Sequence, residues 1–451
     1  MNLLNLYHRS PYPVRVAIAS ARGYYLRWWR FGRQLEAAAE LAREREQWSA
    51  EQWRTWREER LAYVLDHAAT QVPYYRALWE QRRRAGDRAS WELLENWPRL
   101  SKEAVRQHAK AFIADDFANQ RLFTNTTSGT SGTPLNISVT RAALQAWHGT
   151  VEARMRGWYG LTHKDRWAII GGQLVVPFAQ KTPPFWVENK GLRQLYLSSH
   201  HISYENAPAY LDALQRYQPG YMIVYPSSAH VLAQAALERN QSLPAMKAVF
   251  SNAERLLPQQ RETISAAFNA PVIDTYGMGE NLFGASECPA GTLHTWPDAG
   301  VLEVWSDNED IPVSPGNSGR FILTGLLNPA MPFIRYEVGD RGQMSASETH
   351  CSCGRTLPAL ASIEGRLNDL LITADGRQIF WINPIFYGLP LREAQIIQES
   401  LDRICVRYVP AAEFSSAHLD TIRQRLRDRM GAIQVQFSQV DLIPRTANGK
   451  F

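Results

Sequence analysis

Thr126-Thr127-Ser128-Gly129-Thr130-Ser131-Gly132-Thr133-Pro134 is the stretch from which the rest of the chain can be read. Nine residues hold four threonines, two serines and two glycines. Glycine admits positive φ and lets backbone approach a ligand closely. Successive N–H groups in a turn form a nest for an anion, and the hydroxyls add further donors. No Gly-Lys-Ser/Thr closes the stretch, so it is not a Walker A loop. By composition alone such a loop more often marks a solvated surface. Its weight comes from the strands, helices and motifs C-terminal to it.

Downstream, 136–139 reads as a strand and 141–159 as a helix. Buried strands at 167–172, 221–225, 248–251 and 271–276 alternate with helices at 207–217, 229–239 and 258–268. That alternation predicts parallel βαβ units, whose ligands sit beyond the carboxyl ends of the strands. Ser251-Asn252-Ala253-Glu254 and Tyr276-Gly277-Met278-Gly279-Glu280 fall at such ends. From 291 to 345 the texture changes: strands at 301–305, 319–324 and 333–336 with short turns predict a mostly antiparallel sub-domain, and Gly339-Asp340-Arg341-Gly342 comes after the last of them. A final segment begins near Gly365, with a hairpin over 370–380 turning at Asp375-Gly376, a helix at 415–430 and a strand at 433–442.

Upstream, residues 1–33 carry six arginines and no acidic residue, interleaved with Tyr24, Tyr25, Trp28, Trp29 and Phe31. Two readings compete. One is a basic amphipathic segment on an anionic membrane surface. The other is a helix packing its aromatics on the main body with arginine stems laid over them. No lipidation motif accompanies the segment, and packing is the preferred reading. Residues 34 to about 80 read as helical until Val72-Pro73-Tyr74-Tyr75 ends the run. Short helices are expected over 81–120, one of them starting at Ser101.

The chain has 451 residues, enough for two or three domains. A net charge of +5 is modest for this length and no nucleic-acid-binding signature is present. No apolar run reaches membrane-spanning length, and the start lacks a signal-peptide core. Four cysteines do not make a disulfide framework, so a reducing cytoplasm is expected. Cys351 and Cys353 offer two thiolates on a tight turn, and Cys288 and His294 lie upstream. Together they compose a Cys₃His set of the structural zinc type. The alternative is ordinary buried cysteines with a surface histidine. Cys405, in Ile404-Cys405-Val406, reads as core.

Five stretches in this order resemble the adenylate-forming enzymes: TTSGTSGTP at 126–134, YGMGE at 276–280, RYEVGDRG at 335–342, EGRLNDLL at 364–371 and PRTANGK at 444–450. VPYYR at 72–76 and CSCGR at 351–355 look typical of the phenylacetate-CoA ligase branch and its CapK-like members. The resemblance implies an α/β fold of the acyl-CoA synthetase type. In it a large N-terminal domain of mixed and parallel sheets, helices and a β sub-domain precedes a small mobile α+β domain. The corresponding divisions are 1–120 (helical part of the large domain), 121–364 (ATP- and acyl-binding) and 365–451 (mobile).

The implied chemistry turns a carboxylate into an acyl-adenylate with loss of pyrophosphate. Thr127, Ser128, Gly129, Thr130, Ser131, Gly132 and Thr133 would cradle phosphates. Glu280 would hold Mg²⁺, Asp340 the ribose hydroxyls and Arg366 the ribose or phosphate. Ala253, Glu254, Tyr276, Gly277 and Met278 would line the nucleotide. Lys450 would reach the α-phosphate and carboxylate oxygens. The hinge position is Asn368, where the family has Asp or Lys. An acyl pocket would be lined by Trp147, Gly171, Gly172, His200, His201, Tyr225, Pro226 and Ser227. Without the resemblance, Glu280 reads equally as a carboxylate at a helix N-terminus, Asp340 as a turn residue, Lys450 as a solvated tail charge, and His200-His201 as either pocket or solvated loop.

The expected cofactors are ATP and Mg²⁺, with structural Zn²⁺ and CoA. The expected partners are a small carboxylic acid and an acceptor that is CoA or an amine, for a monomer or homodimer. The loop after the hinge, Gly376-Arg377-Gln378-Ile379-Phe380, lacks the proline of CoA ligases, and this keeps an amine acceptor open. A third reading is a non-catalytic scaffold on a membrane surface; Lys450, Glu280 and Asp340 argue against it.

Overall fold

The computed structural model describes residues 3–127, 135–307, 309–346, 351–366, 371–374, 378–379, 385–386 and 389–445. Its first part is helical: α1 (Leu3–Arg9), α2 (Tyr12–Arg30), α3 (Arg33–Glu44), α4 (Ala50–Gln71), α5 (Pro73–Arg84) and α6 (Lys102–Gln107). The run expected from 34 to about 80 breaks twice. Ser49 starts a new helix with a capping box: its hydroxyl accepts from the Gln52 N–H at 3.2 Å, and the Gln52 side chain accepts from the Ser49 N–H at 2.8 Å. Pro73 opens α5 rather than closing α4, because a first helical residue has no use for an N–H. Ser101 caps α6 as expected, accepting from the Ala104 N–H at 3.1 Å.

Next come the hairpin β1 (Phe123–Thr127) and β2 (Leu135–Val139), then α7 (Arg141–Val151). A six-stranded sheet comes after them. It contains β3 (Trp167–Gly171), β4 (Trp186–Asn189), β5 (Gln194–Ser198), β6 (Tyr221–Val224), β7 (Ala248–Ser251) and β8 (Val272–Ile273), in the order β4-β5-β3-β6-β7-β8. All its pairings are parallel except that of the edge strand β4. Side chains alternate across such a strand. Met222, Val224 and Val249 meet α8 (Ala207–Tyr217) and α9 (Pro226–Glu238) on one face, while Tyr221, Phe250 and Ile273 pack with Met155 and Leu161 on the other. α10 (Pro258–Phe268) crosses from β7 to β8.

The antiparallel sub-domain is a seven-stranded sheet. Its strands are β9 (Thr275–Gly277), β10 (Gly284–Glu287), β11 (Leu293–Thr295), β12 (Gly300–Trp305), β13 (Ser318–Gly325), β14 (Tyr336–Met344) and β15 (Ala359–Arg366), in the order β12-β13-β14-β15-β11-β10-β9. Only Asp274 separates β8 of the first sheet from β9 of the second. The strand expected at 333–336 begins only at Tyr336. Arg335 stands before it at φ +52, and its guanidinium is gripped by both carboxylate oxygens of Glu303 at 3.1 Å and by the Trp97 carbonyl at 2.8 Å. Asp340 therefore lies within β14, opposite Arg366 of β15, and not in a turn.

The last part has its own core. The short pair β16 (Leu371–Ile372) and β17 (Gln378–Ile379) precedes β18 (Leu391–Ser400), β19 (Arg403–Pro410), α11 (Ser416–Met430) and β20 (Gln434–Gln439). Ile404, Val406, Ile422 and Leu426 pack together between sheet and helix. Cys405 is not core: alternation puts it on the opposite face from Ile404 and Val406, half-buried.

One buried ion pair ties the layers. Arg154, fully buried after α7, donates to both oxygens of Asp298 at 2.5 and 3.1 Å and to the Ala42 carbonyl of α3 at 3.1 Å. Breaking a buried pair strands the remaining charge, at a cost of about 3–5 kcal/mol. Arg154→Met is expected to fall near the lower end, since Arg45 remains 3.8 Å from Asp298. Urea denaturation measures the loss, and adding Asp298→Leu is expected to recover part of it.

Candidate functional site

β1 and β2 pair in register from Phe123↔Val139 to Thr127↔Leu135, so the hairpin presents the Ser/Thr/Gly loop at its tip. Ser128, Gly129, Thr130, Ser131, Gly132 and Thr133, and the side chain of Thr127, lie outside the described residues. The arms are placed. Thr126 Oγ1 donates to Asn136 Oδ1 at 2.9 Å across the hairpin. Asn125 Nδ2 donates to the Gly279 carbonyl at 2.6 Å, stitching the hairpin to the Tyr276–Glu280 turn. Residues distant in sequence are thus brought to one place.

Two carboxylates stand there, each met by a tyrosine hydroxyl. Tyr276 donates to Asp340 Oδ2 at 2.9 Å, linking β9 to β14 across the sheet. Tyr336 donates to Glu280 Oε1 at 3.0 Å, and Lys102 Nζ lies 3.6 Å from the same oxygen. Glu280 is only 6% exposed, so its charge depends on these partners. Arg366 is paired with Asp340 along the backbone; its side chain, and the whole of Asn368 and Lys450, lie outside the described residues. Among the described residues, nothing lies within 4 Å of where a Cβ on Gly277 would stand. Met278 is partly buried against the core.

Ala253 has φ +64, a left-handed turn just past β7. It directs Glu254 back to α9, where its Oε2 accepts the Ser227 N–H at 3.1 Å. Ser227 is in the first turn of that helix, so a carboxylate completes an N-terminus whose N–H groups lack intrahelical partners. Below, Ser251 Oγ donates to Asp274 Oδ1 at 2.6 Å, and Thr275 Oγ1 donates to the Ser251 carbonyl. The ends of β7 and β9 are locked together by these bonds.

The residues expected to line an acyl pocket divide. The Gly172 N–H donates to the Tyr225 hydroxyl at 3.2 Å, and the Gly172 carbonyl lies 3.2 Å from His200 Nε2. Gly171 must be glycine: a Cβ there would come within 2.4 Å of the Tyr196 hydroxyl. Pro226 and Ser227 start the helix after Tyr225. His201 uses both nitrogens, at 2.9 Å from Ser198 Oγ and 3.1 Å from the Pro177 carbonyl. Burial lowers the pKa of both histidines, against the opposing pull of their backbone bonds, so they are neutral near pH 7. Neither is a solvated loop residue. Trp147 stands elsewhere, with its ring centroid 5.4 Å from Trp296 in the cluster on the other sheet face.

The Cys₃His set does assemble. Ligand atoms of Cys288, His294, Cys351 and Cys353 all lie within 4.8 Å of one another. Cys288 Sγ is 3.6 Å from Cys351 Sγ, and Cys353 Sγ is 3.4 Å from His294 Nε2. His294 Nδ1 lies 2.9 Å from the Leu357 carbonyl, a partner that leaves Nε2 for the sulfurs. Burial pushes the Cys288 thiol up to about 11. At Cys351 desolvation also acts upward, but the Thr292 hydroxyl and Cys353 N–H, with Cys353 and His294, bring the thiol down to about 6. Lys102 and Asn125 join the site without any sign in the sequence, since a charged and an amide side chain at long range carry no local signal; Tyr336 lies in the stretch 335–342, but its partnership with Glu280 had no signal there.

Comparisons with known proteins fit this geometry. Residues 53–325 match the model of the AMP-binding enzymes, and 371–451 match the CapK C-terminal domain. Protein CapK of Staphylococcus aureus is 25% identical over 384 residues, covering 84% of this chain and 83% of that one. A phenylacetate-coenzyme A ligase of Thermus thermophilus is 25% identical over 338 residues, covering 71% and 72%. Among solved structures, 2-hydroxyisobutyryl-CoA ligase in its postadenylation state superposes with TM-score 0.69 at 21% identity, covering 89% of each chain. It shares the fold.

A thiol held near 6 is mostly thiolate at neutral pH and is protonated as pH falls through that value. In metal-free protein, iodoacetamide is therefore expected to modify Cys351 with a pH midpoint near 6, and Cys288 only in strongly alkaline solution. Peptide mapping by mass spectrometry across pH reads both.

Proposed function

This chain belongs to the AMP-binding enzymes, and from that premise we propose that it activates a small carboxylic acid with ATP and passes the acyl group to a thiol, that of CoA. The observation that carries the reading is the gathering of Asn125, Tyr336 and Asp340 about the Tyr276–Glu280 turn. In the first half-reaction a carboxylate oxygen attacks the α-phosphorus of ATP, and pyrophosphate leaves. In the second, the acceptor sulfur attacks the acyl carbon, and AMP leaves with the electron pair of the broken C–O bond.

Each residue has a task set by charge. Two anions must meet, so donors must surround the phosphates. The loop Thr127–Thr133 supplies N–H groups and hydroxyls. Asp340, oriented by the Tyr276 hydroxyl, accepts the ribose hydroxyls, and Arg366 in the facing strand acts on the ribose or phosphate. Gly277 leaves room for the nucleotide beside Tyr276 and Met278, with Ala253 and Glu254 on its other side. Lys450 delivers a positive point charge to the α-phosphate and the carboxylate.

Glu280 is the residue fitted to hold Mg²⁺: among the described residues both its contacts fall on Oε1. The ion supplies charge neutralisation at the phosphates. Lys102 and Tyr336 both meet that carboxylate at Oε1. The acid sits beside Gly171, Gly172, His200 and Tyr225, with neutral imidazoles lining the pocket. We assign Cys288, His294, Cys351 and Cys353 to structural Zn²⁺, which would clip the β10–β11 turn to the approach of β15.

An amine acceptor is the second reading. It is favoured by Asn368 at the hinge and by the missing proline after Gly376. Rotation of the small domain remains the step that changes one half-reaction into the other.

Pyrophosphate release and hydroxamate trapping over a panel of acids test the activity, and adding CoA or amines tests the acceptor. Lys450→Ala is expected to slow pyrophosphate release by about 10²–10³ with an unchanged circular dichroism spectrum; undiminished release would sink the mechanism. Tyr276→Phe removes one hydrogen bond to Asp340 and is expected to raise KM for ATP by roughly fivefold, on the order of 1 kcal/mol. Protein purified without chelator is expected to carry one zinc per chain by elemental analysis; a content near zero removes the assignment.

A further inference from the structure

The N-terminal helix α2 presents an apolar face to solvent. Val14, Ile18, Ala21, Tyr25 and Trp28 recur at steps of four and three, which at 100° per residue confines them to an arc of about 80°. All five are exposed; the four larger ones retain 44%, 43%, 43% and 46% of their surface in the order Val14, Ile18, Tyr25, Trp28. The opposite arc is spent on the main body. Gly23 abuts Asn189, Leu26 and Trp29 are buried, and Ser20 Oγ accepts the Lys190 N–H at 3.1 Å. A surface helix of a soluble protein carries charged and polar residues on the arc facing water. Here that arc holds aliphatic and aromatic side chains, so packing accounts for one face only. Single exposed apolar residues need no explanation; a continuous stripe about 21 Å long does.

The charge around the stripe selects its partner. Arg9, Arg22 and Arg121 are exposed, and the first acidic residue of the chain is Glu36. Arg141 places its guanidinium 4.1 Å from the centre of the Trp28 ring and bonds the Trp28 carbonyl at 2.9 Å; Arg121 lies 5.9 Å from the same ring. An indole flanked by guanidinium groups suits the boundary between lipid headgroup and acyl chain. There the ring is half immersed and the cations meet phosphates. No helix among the described residues is long and apolar enough to cross a membrane, so contact of this kind is in the plane of the surface.

We propose that α2 docks this protein on an anionic phospholipid bilayer, its apolar stripe immersed and its arginines on the headgroups. The same helices hold the loop beside the acyl pocket. Tyr7 donates to the Val175 carbonyl at 3.0 Å, His8 lies 2.8 Å from the Leu174 carbonyl, and Arg15 donates to Gln180 at 3.2 Å. Phe178 of that loop is exposed, with its ring 4.7 Å from that of His200. Docking therefore brings the loop beside the pocket close to the membrane surface, which favours an amphiphilic acid or a lipid-borne acceptor. This consequence rests on the pocket reading above; the docking does not.

The test is co-sedimentation of the full chain with vesicles of phosphatidylcholine alone or with about 30% phosphatidylglycerol, beside light scattering in solution. Binding to the anionic vesicles is expected, weakened at high salt. It should fall at least about tenfold in Tyr25→Ser/Trp28→Ser and in Arg22→Gln/Arg121→Gln. Both double variants should keep the melting temperature and the pyrophosphate release of the parent with a water-soluble acid. A parent protein that binds the anionic vesicles but releases no pyrophosphate with any acid would count against the active-site reading alone, and unchanged binding in both double variants overturns the docking. No binding to either vesicle, or equal binding to both, overturns the proposal. So does a dimer in solution that Tyr25→Ser/Trp28→Ser dissolves, since a second copy then covers the face.

Discussion

Two tyrosine hydroxyls hold the two carboxylates on which the site turns. Glu280 is almost wholly withdrawn from water, and an ionised carboxylate there needs partners. Tyr336 and Lys102 supply them from β14 and α6. Asp340 receives Tyr276 from the far edge of the same sheet. The bonds do two things at once. They offset the cost of placing negative charge at the meeting point of two sheets, and they fix the charges where a nucleotide and its metal would be met. Among the described residues both carboxylates are held by protein partners, and preorganised electrostatics is the form in which enzymes most effectively stabilise developing charge.

The assembly depends on the junction between the sheets. Only Asp274 separates the last strand of the parallel sheet from the first of the antiparallel one, and burial raises its pKa against the bond from Ser251. Glu287 accepts the Asp274 N–H at 2.8 Å and pairs with Arg261 of α10 at 2.8 Å. Beyond this junction the chain turns into Tyr276–Glu280, so the position of the turn is inherited from both sheets. The hairpin carrying the Ser/Thr/Gly loop is fastened to it by Asn125. Its base packs on Trp29 of α2 through Phe123, at 5.4 Å between ring centres. The helix that faces solvent with an apolar stripe thus also braces the base of the β1–β2 hairpin.

The Cys₃His cluster belongs to the same framework. Arg355, just past Cys353, bonds Glu46 at 2.8 Å, and Glu46 also accepts Trp158 Nε1 at 2.8 Å. The turn bearing two of the thiols is therefore anchored to the helical layer as well as to β11. A metal here would tighten a contact that protein groups already make.

The alternation of strand and helix from 167 to 277 and the antiparallel texture after 291 were legible because each is a local pattern of period or composition. Glu280, Asp340 and the four zinc-type residues were legible as candidates, since their types and order carry the resemblance. The helices at 207–217 and 258–268 end where their sequence signals end. What the chain could not disclose by itself was partnership. Tyr276 with Asp340, Tyr336 and Lys102 with Glu280, and Arg154 with Asp298 are pairings across tens to hundreds of residues, and no local rule selects them. The break at Ser49 was set by a local capping box that helical periodicity outweighed, whereas the placement of Asp340 inside a strand was decided by pairing with a distant strand. Sequence determines which segments are helix or strand and which chemical groups are available. Folding alone decides which of those groups meet, because a buried charge or a ring finds its partner by packing, not by proximity along the chain.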